Sequence, residues 1–215
     1  MLVGERMAHP VITVSPESLV IEVLELMKKH HIRRTPVTKD GKLVGIVSDK
    51  DILNASPSPT TALSVWEMNY LLSKIRIRDV MSRKVLTVNE DTPIEEAAKI
   101  MSDNKIGGLP VMNGDKIVGI ITETDLFKAL LGLMGAREHG VRVTALISDA
   151  KGTLARLTET LAGAGANFIA FGQTSGTDAT NRQITFKVSD IDEERLVKLL
   201  EPLVERIIDI RVSGG

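Results

Sequence analysis

Two short pairs of residues carry the types and spacing that could do chemistry. Ser48 is followed three residues on by Asp51, and Thr122 by Asp125. Each hydroxyl ends an apolar, strand-like run and opens a helical one. A hydroxyl there, together with the free N–H groups of a helix start, can hold a phosphate or ribose oxygen. A carboxylate in the first turn can accept both hydroxyls of a ribose. The same spacing is also that of a capping box, in which the two side chains satisfy only local backbone N–H groups. Both readings stand on the sequence alone. No catalytic set accompanies the pairs. The histidines are His9, His30, His31 and His139, and the adjacent His30 and His31 would point about 100° apart on a helix, a poor geometry for one metal. They read as surface residues at a helix end. The absence of cysteine excludes disulfides, thiol catalysis and Cys-ligated metals. There is no Gly-x-Ser-x-Gly, no P-loop and no His-Glu-x-x-His. Glu95-Glu96 and Glu193-Glu194 fall at expected helix starts, where acids suit the helix dipole. The expectation is a protein that is not an enzyme, with no metal and no required cofactor.

These pairs must be positioned by a chain of 215 residues, room for two or three small domains. Hydrophobic residues make up 43% and charged residues 26%, enough for a true core. Aromatics are only 3%, so that core must be aliphatic. Lys plus Arg number 27 against 28 Asp plus Glu, a net charge of -1, which excludes an overall basic footprint for nucleic acid. No apolar run approaches the roughly 18 residues of a membrane span. The first residues, MLVGERMAHP, lack the apolar region of a secretory signal, and the expected location is cytoplasmic.

An internal repeat organises the first half. Met7–Leu53 aligns with Met81–Phe127 without a gap at an offset of 74, matching Thr13 with Thr87, Met27 with Met101, Ile32 with Ile106, Pro36 with Pro110, Gly45 with Gly119 and Asp51 with Asp125. Each copy begins with an extended segment (11–14, 85–88). An N-cap candidate follows, Ser15 before Pro16 and Asp91 or Thr92 before Pro93. A helical stripe comes next: Leu19, Val23, Leu26 and Met27, then Ile94, Ala97, Ala98 and Met101. A hairpin is expected from TPVT and LVGIVS, and from LPVM and IVGIIT, followed by a second helix from Ser48 and Thr122. The order is β-α-β-β-α. SPSPTT (56–61) reads as a linker and residues 64–75 as an amphipathic packing helix with the lone Trp and Tyr.

Residues Arg34-Thr35-Pro36-Val37 with Gly45–Asp51, and Gly108-Leu109-Pro110-Val111 with Gly119–Asp125, make each repeat resemble a CBS domain. The pair resembles a Bateman module. In that family each cleft is composite, with the Asp of one repeat and the base on the other. The resemblance implies one site from Ser48, Lys50, Asp51, Arg33 and Arg34, with a base near Met81, Leu86, Ile106, Gly107 and Gly108. The other would use Thr122, Thr124 and Asp125, with a base near Met7, Ile12, Ile32 and Arg33-Arg34. Arginine makes bidentate phosphate contacts and glycine none, so unequal sites are expected, with phosphorylated adenosine preferring the Asp51 cleft.

The last third changes pattern. Strands are expected at 141–148, 166–174, 182–188 and 209–212, with helices from Thr153 and from Glu193, the latter capped by Asp190 or Asp192. The order βαββαβ is ferredoxin-like. Asp149-Ala150-Lys151-Gly152-Thr153-Leu154 and the later Asn167 resemble the signature of an ACT domain, which implies a small-effector site, often for an amino acid, at that turn. The expected fold is α+β: CBS domains over 1–54 and 78–135, a linker and helix at 55–77, a linker at 136–140, and the ACT domain over 141–215. The combination resembles CBS–ACT proteins of acetoin utilization (AcuB type). It implies a regulatory homodimer that senses AMP, ADP, ATP, S-adenosylmethionine or NAD, with an ACT domain that senses a second metabolite or dimerises, and that signals to a target protein. The alternatives are a ligand-independent interaction scaffold, and an enzyme that turns over its bound nucleotide.

Overall fold

A computed structural model describes residues 1–55 and 74–214. The chain divides into two compact units, Met1–Leu126 and Phe127–Gly215. The expected linker 56–61, and the expected helix 64–75 apart from its last two residues, lie outside the described residues.

In the first unit the two repeats share one frame. Helix α1 spans Val20–Lys29, strands β1 and β2 span Arg34–Lys39 and Lys42–Ser48, and α2 spans Asp49–Asn54. A short helix, α3, follows at Ile77–Val80. Repeat two has β3 at Val88–Asn89, α4 at Ile94–Asn104, β4 at Gly108–Asn113, β5 at Lys116–Thr122 and α5 from Glu123 to Leu133. Each first helix buries one stripe at helical spacing: Val20, Val23 and Met27 in α1, and the equivalent Ile94, Ala97 and Met101 in α4. Each hairpin carries a β-bulge at the same point, after Val37 and after Val111. The first hairpin turns on Asp40 and Gly41, both at positive φ (52° and 76°), the backbone a two-residue loop needs.

The first helices begin later than expected. The N-cap of α1 is Leu19, because the Ser15 hydroxyl already accepts from Glu17 N (3.2 Å) in a local turn that continues with Ser18 N to Ser15 O. Thr92 is likewise used within its own turn, accepting from Asn89 N (3.0 Å), and Pro93 is the cap of α4. The opening extended segments also pair over less than expected: Val14 alone bridges Val37, and β3 holds two residues beside β4. Proline explains the truncation. Pro36 O accepts from Val14 N (3.1 Å), and in a parallel ladder the N–H of that residue would donate to Ile12 O. Pro36 has no N–H, and the buried Thr35 hydroxyl donates to Ile12 O instead (2.5 Å).

The segments leading into the repeats are exchanged. Residues at the start of the chain and of repeat one pair with repeat two: Val3 N to Thr92 O, Gly4 N to Glu90 O, and Ala8 bridged to Ile120. Residues before and at the start of repeat two pair with repeat one: Val20 N to Ile75 O, Arg78 N to Pro16 O, and Ser82 bridged to Ile46. Glycine makes the crossing possible. A Cβ at Gly45 would stand 2.6 Å from Met81 Sδ and 3.1 Å from Ser82 O, and one at Gly119 would stand 2.9 Å from Met7 Cγ and 3.2 Å from Ala8 O. Val14, Val37, Val47, Ile52 and Ile77 join the α1 stripe in one core of the unit.

The second unit is an antiparallel sheet of β6 (Gly140–Ser148), β7 (Asn167–Ser175), β8 (Asn181–Ser189) and β9 (Arg206–Ser213), in the order β7-β8-β6-β9. Helices α6 (Thr153–Gly163) and α7 (Glu193–Leu200) pack Leu157, Leu161, Leu196 and Leu200 onto Val143, Ala145, Ile184, Phe186 and Val188. The observed order is the expected βαββαβ. Asp192 caps α7, its side chain accepting from Arg195 N (2.8 Å), and α7 stops ahead of Pro202. The buried Lys187 ammonium donates to Gly135 O (3.0 Å) and to Glu138 O, holding the chain that precedes β6.

Candidate functional site

The β1–β2 and β4–β5 registers bring the candidate residues together. Arg34 is the cross-strand partner of Ser48, and Gly108 of Thr122. The loop before each hairpin also joins the helix start beyond it: Asp49 N donates to Arg33 O (2.9 Å) and Glu123 N to Gly107 O (3.2 Å). Arg33, Arg34, Ser48 and Asp51 therefore gather at one end of the first hairpin, and Gly107, Gly108, Thr122 and Asp125 at the same end of the second.

The capping box is complete in repeat one, and its carboxylate half recurs in repeat two. Ser48 N (2.8 Å) and Ser48 Oγ (2.6 Å) donate to Asp51 Oδ2, and Asp51 N donates back to Ser48 Oγ (3.3 Å). Thr122 N (3.0 Å) and Thr122 Oγ1 (2.7 Å) donate to Asp125 Oδ2. Local bonds thus engage one oxygen of each carboxylate, which also fixes its rotamer. Capping and ligand binding are compatible, because Asp51 Oδ1 has no hydrogen bond among the described residues. Lys50 and Thr124, between hydroxyl and carboxylate, are exposed.

Arg34 is the cation of this region. Its guanidinium lies against the backbone of repeat two: a Cβ at Gly107 would stand 2.5 Å from Nη1, and one at Gly108 2.8 Å from it. Half-buried, it makes no hydrogen bond or ion pair among the described residues. Burial pulls its pKa below the ordinary arginine value, while Glu123, Asp49 and Asp51 raise it and Arg33 lowers it. A desolvated cation without a direct partner is a strong attractor for an anion.

The remaining residues are placed as follows. Met81 and Met7 lie against Gly45 and Gly119, each on the hairpin of the other repeat. Ile12 is tied through its carbonyl to Thr35 beside Arg34. Ile32 and Ile106 are half-buried at the entry to the hairpins, their N–H groups donating to Met27 O and Met101 O. Leu86 is 37% exposed, and repeat two has Leu109 where repeat one has Thr35, with no hydroxyl to offer it. Asp49 and Glu123, which act on Arg34, escaped the sequence reading; their sign and their place beside the hydroxyl were the available signal.

These features recur in known proteins. The CBS domain model matches residues 3–58 and 77–132, more than half of the chain. The chain belongs to the CBS-domain family. The uncharacterized protein MJ1426 of Methanocaldococcus jannaschii is 37% identical over 155 residues, 61% of this chain and 92% of that protein. Among solved structures, the CBS pair of protein MJ0100, in complex with 5′-methylthioadenosine and S-adenosyl-L-methionine, superposes with a TM-score of 0.52 at 30% identity, over 61% of this chain and 97% of that one. CBSX2 in complex with AMP gives 0.51 at 30%, over 60% and 96%. A proposed acetoin utilization protein (AcuB) from Vibrio cholerae gives 0.53 at 29%, over 63% and 93%. The fold is α+β with a tandem CBS pair. Among the described residues no helix is long and apolar enough to cross a membrane.

The second unit holds a separate depression of about 300 Å³ at the start of α6. Asp149, Gly152, Thr153 and Leu154 line it, with Gln173 and Arg182. Gly152 takes φ 85°, a conformation that favours glycine, and the buried Thr153 hydroxyl donates to Ala150 O (3.0 Å). Arg182 Nε donates to Asp149 Oδ2 (2.9 Å). This pair raises the Arg182 pKa, first through the hydrogen bond and then through charge. Lys151 is exposed and does not line the depression. Asn167 is not brought to the turn: it opens β7 opposite Ser189, while Gln173 stands near the far end of the strand. Arg182 and Gln173 were missed because only the register of β8, with Ser148 opposite Asn181, carries them to the turn.

Proposed function

We propose that this CBS pair is an adenosine-ligand sensor. Its clefts would take a ribose on Asp51 and on Asp125, with adenine against Met81, Leu86 and Ile106 in one and against Met7, Ile12 and Ile32 in the other. The observation that carries this reading is Arg34: a half-buried guanidinium without a hydrogen-bond or ion-pair partner among the described residues, set beside Ser48 and Asp51 and facing Gly107-Gly108. The complexes of CBSX2 with AMP and of MJ0100 with S-adenosyl-L-methionine and 5′-methylthioadenosine support the ligand class. AMP, ADP, ATP, S-adenosylmethionine and NAD all present the adenosine that such a cleft reads.

The reading extends to a non-catalytic, cytoplasmic homodimer, with CBS domains in 1–54 and 78–135 and an ACT domain in 141–215. The βαββαβ order and the Asp149–Leu154 turn support the ACT assignment. The depression beside Arg182 would suit a small carboxylate such as an amino acid. Output would pass to a target protein through ligands that bind two conformations unequally, with acetoin or central carbon metabolism as the setting.

Calorimetric titration of ligand-stripped protein with AMP, ATP and S-adenosylmethionine tests the core of this reading. Saturable binding is expected, lost in the Asp51→Ala, Asp125→Ala double variant. Silence across the panel would overturn the sensor and favour the scaffold.

A further inference from the structure

The two clefts are built from equivalent positions, but their charges are not equivalent. Arg33, Arg34 and Lys50 of repeat one correspond, at an offset of 74, to Gly107, Gly108 and Thr124 of repeat two. Three cationic positions in one repeat thus match three uncharged ones in the other. The one half-buried cation does not stay on its own side. The Arg34 backbone stands opposite Ser48, yet its guanidinium reaches the space that side chains at 107 and 108 would fill. The carboxylates acting on it come from both repeats, Asp49 and Asp51 from the first and Glu123 from the second. None of the three forms an ion pair with it among the described residues, so the guanidinium remains open to an incoming anion. It lies between two carboxylate-bearing pairs and belongs to neither alone.

We propose that Arg34 is a single anion-binding group shared by both clefts, so that the pair holds one phosphorylated adenosine ligand tightly, in the Asp51 cleft, while the Asp125 cleft takes an adenosine compound without a phosphate. This rests on the sensor reading above and specifies its ligands. Once Arg34 has turned to a phosphate beside Ser48 and Asp51, a second phosphate near Gly107-Gly108 meets glycine, Thr124 and the Glu123 carboxylate. A like charge with no cation to oppose it is repelled. A neutral ligand meets no such penalty. Two chemically different ligands can then be held together, and two phosphorylated ones cannot be held equally well.

Titration of the full-length, ligand-stripped protein with adenosine and with AMP tests this. Adenosine is expected to fill two sites per chain. AMP is expected to fill one, with any second site at least about tenfold weaker. Arg34→Ala and Arg34→Gln, the second keeping most of the length of the stem, should each weaken the tight AMP site about 10-fold to 100-fold, well beyond any change in adenosine binding, the range expected for a charge-assisted contact. In the double variant Arg34→Gly, Gly108→Arg the tight AMP site should move, becoming sensitive to Asp125→Ala in place of Asp51→Ala. Two equal AMP sites, an unchanged AMP affinity in both Arg34 variants, or a single adenosine site would each overturn the sharing while leaving the sensor standing. Failure of both ligands to bind would overturn the sensor and, with it, the sharing.

Discussion

The two CBS repeats are the same frame fitted out differently. Helix stripe, hairpin bulge, hydroxyl–carboxylate pair and crossing glycine recur at the offset of 74 residues. The differences that bear on the candidate clefts lie at the rim where the hairpin meets the second helix. Repeat one has a guanidinium at Arg34 and a buried hydroxyl at Thr35, whereas repeat two has Gly108 and Leu109. The shared residues are those that fold the unit. At that rim the divergent residues alter charge and hydrogen bonding. A duplicated domain can therefore keep one architecture and acquire two binding preferences.

Substitutions at equivalent positions would break or sharpen that comparison. The largest stability effect is expected at the second helices. Ile52 is fully buried while its counterpart Leu126 is half-buried. Ile52→Ala should cost about 2–5 kcal/mol and Leu126→Ala distinctly less, read by urea denaturation. The crossing glycines should behave alike. Gly45→Ala and Gly119→Ala each place a Cβ inside a methionine side chain and close to a carbonyl, and should each cost about 1–3 kcal/mol. A large difference between the two would show that the segments are not exchanged symmetrically. Thr35→Val should cost about 0.5–1.5 kcal/mol by stranding Ile12 O, whereas Leu109→Val loses no hydrogen bond.

The smallest effect lies in the other unit and serves as a control. The Asp209 carboxyl is held below its ordinary value of 3.8, chiefly by hydrogen bonding from Arg211, with the charges of Arg211 and Arg142 adding and desolvation opposing. A lowered folded-state value gives stability that is present above the unfolded value and is lost as pH falls through the folded one. The Tm gap between wild type and Asp209→Asn should therefore be constant above about pH 5 and close progressively below it. A gap that widens in acid would contradict the pairing.

Much of this was legible in the sequence. The repeat, the hairpins, the βαββαβ order and the clustering of Ser48 with Asp51 follow from spacing and turn chemistry. The helix starts were misplaced because Ser15 and Thr92 serve local turns, a competition a motif does not reveal. The shortening of the first strands could have been read from Pro36 and Pro110, but only once the parallel register was known. The exchange of leading segments joins Ala8 to Ile120, and no local pattern encodes a pairing so distant in the chain. Arg34 was singled out as a charge. Its placement on Gly107-Gly108 came only with the structure, since it depends on how the two hairpins meet.

The most direct measurement is a crystal structure of the AMP complex. Density should place the ribose on Asp51 Oδ1, the phosphate on the Arg34 guanidinium, and no second phosphate beside Gly107-Gly108. An AMP ribose seated on Asp125, or a phosphate that leaves Arg34 untouched, would contradict an unequal pair governed by that one cation.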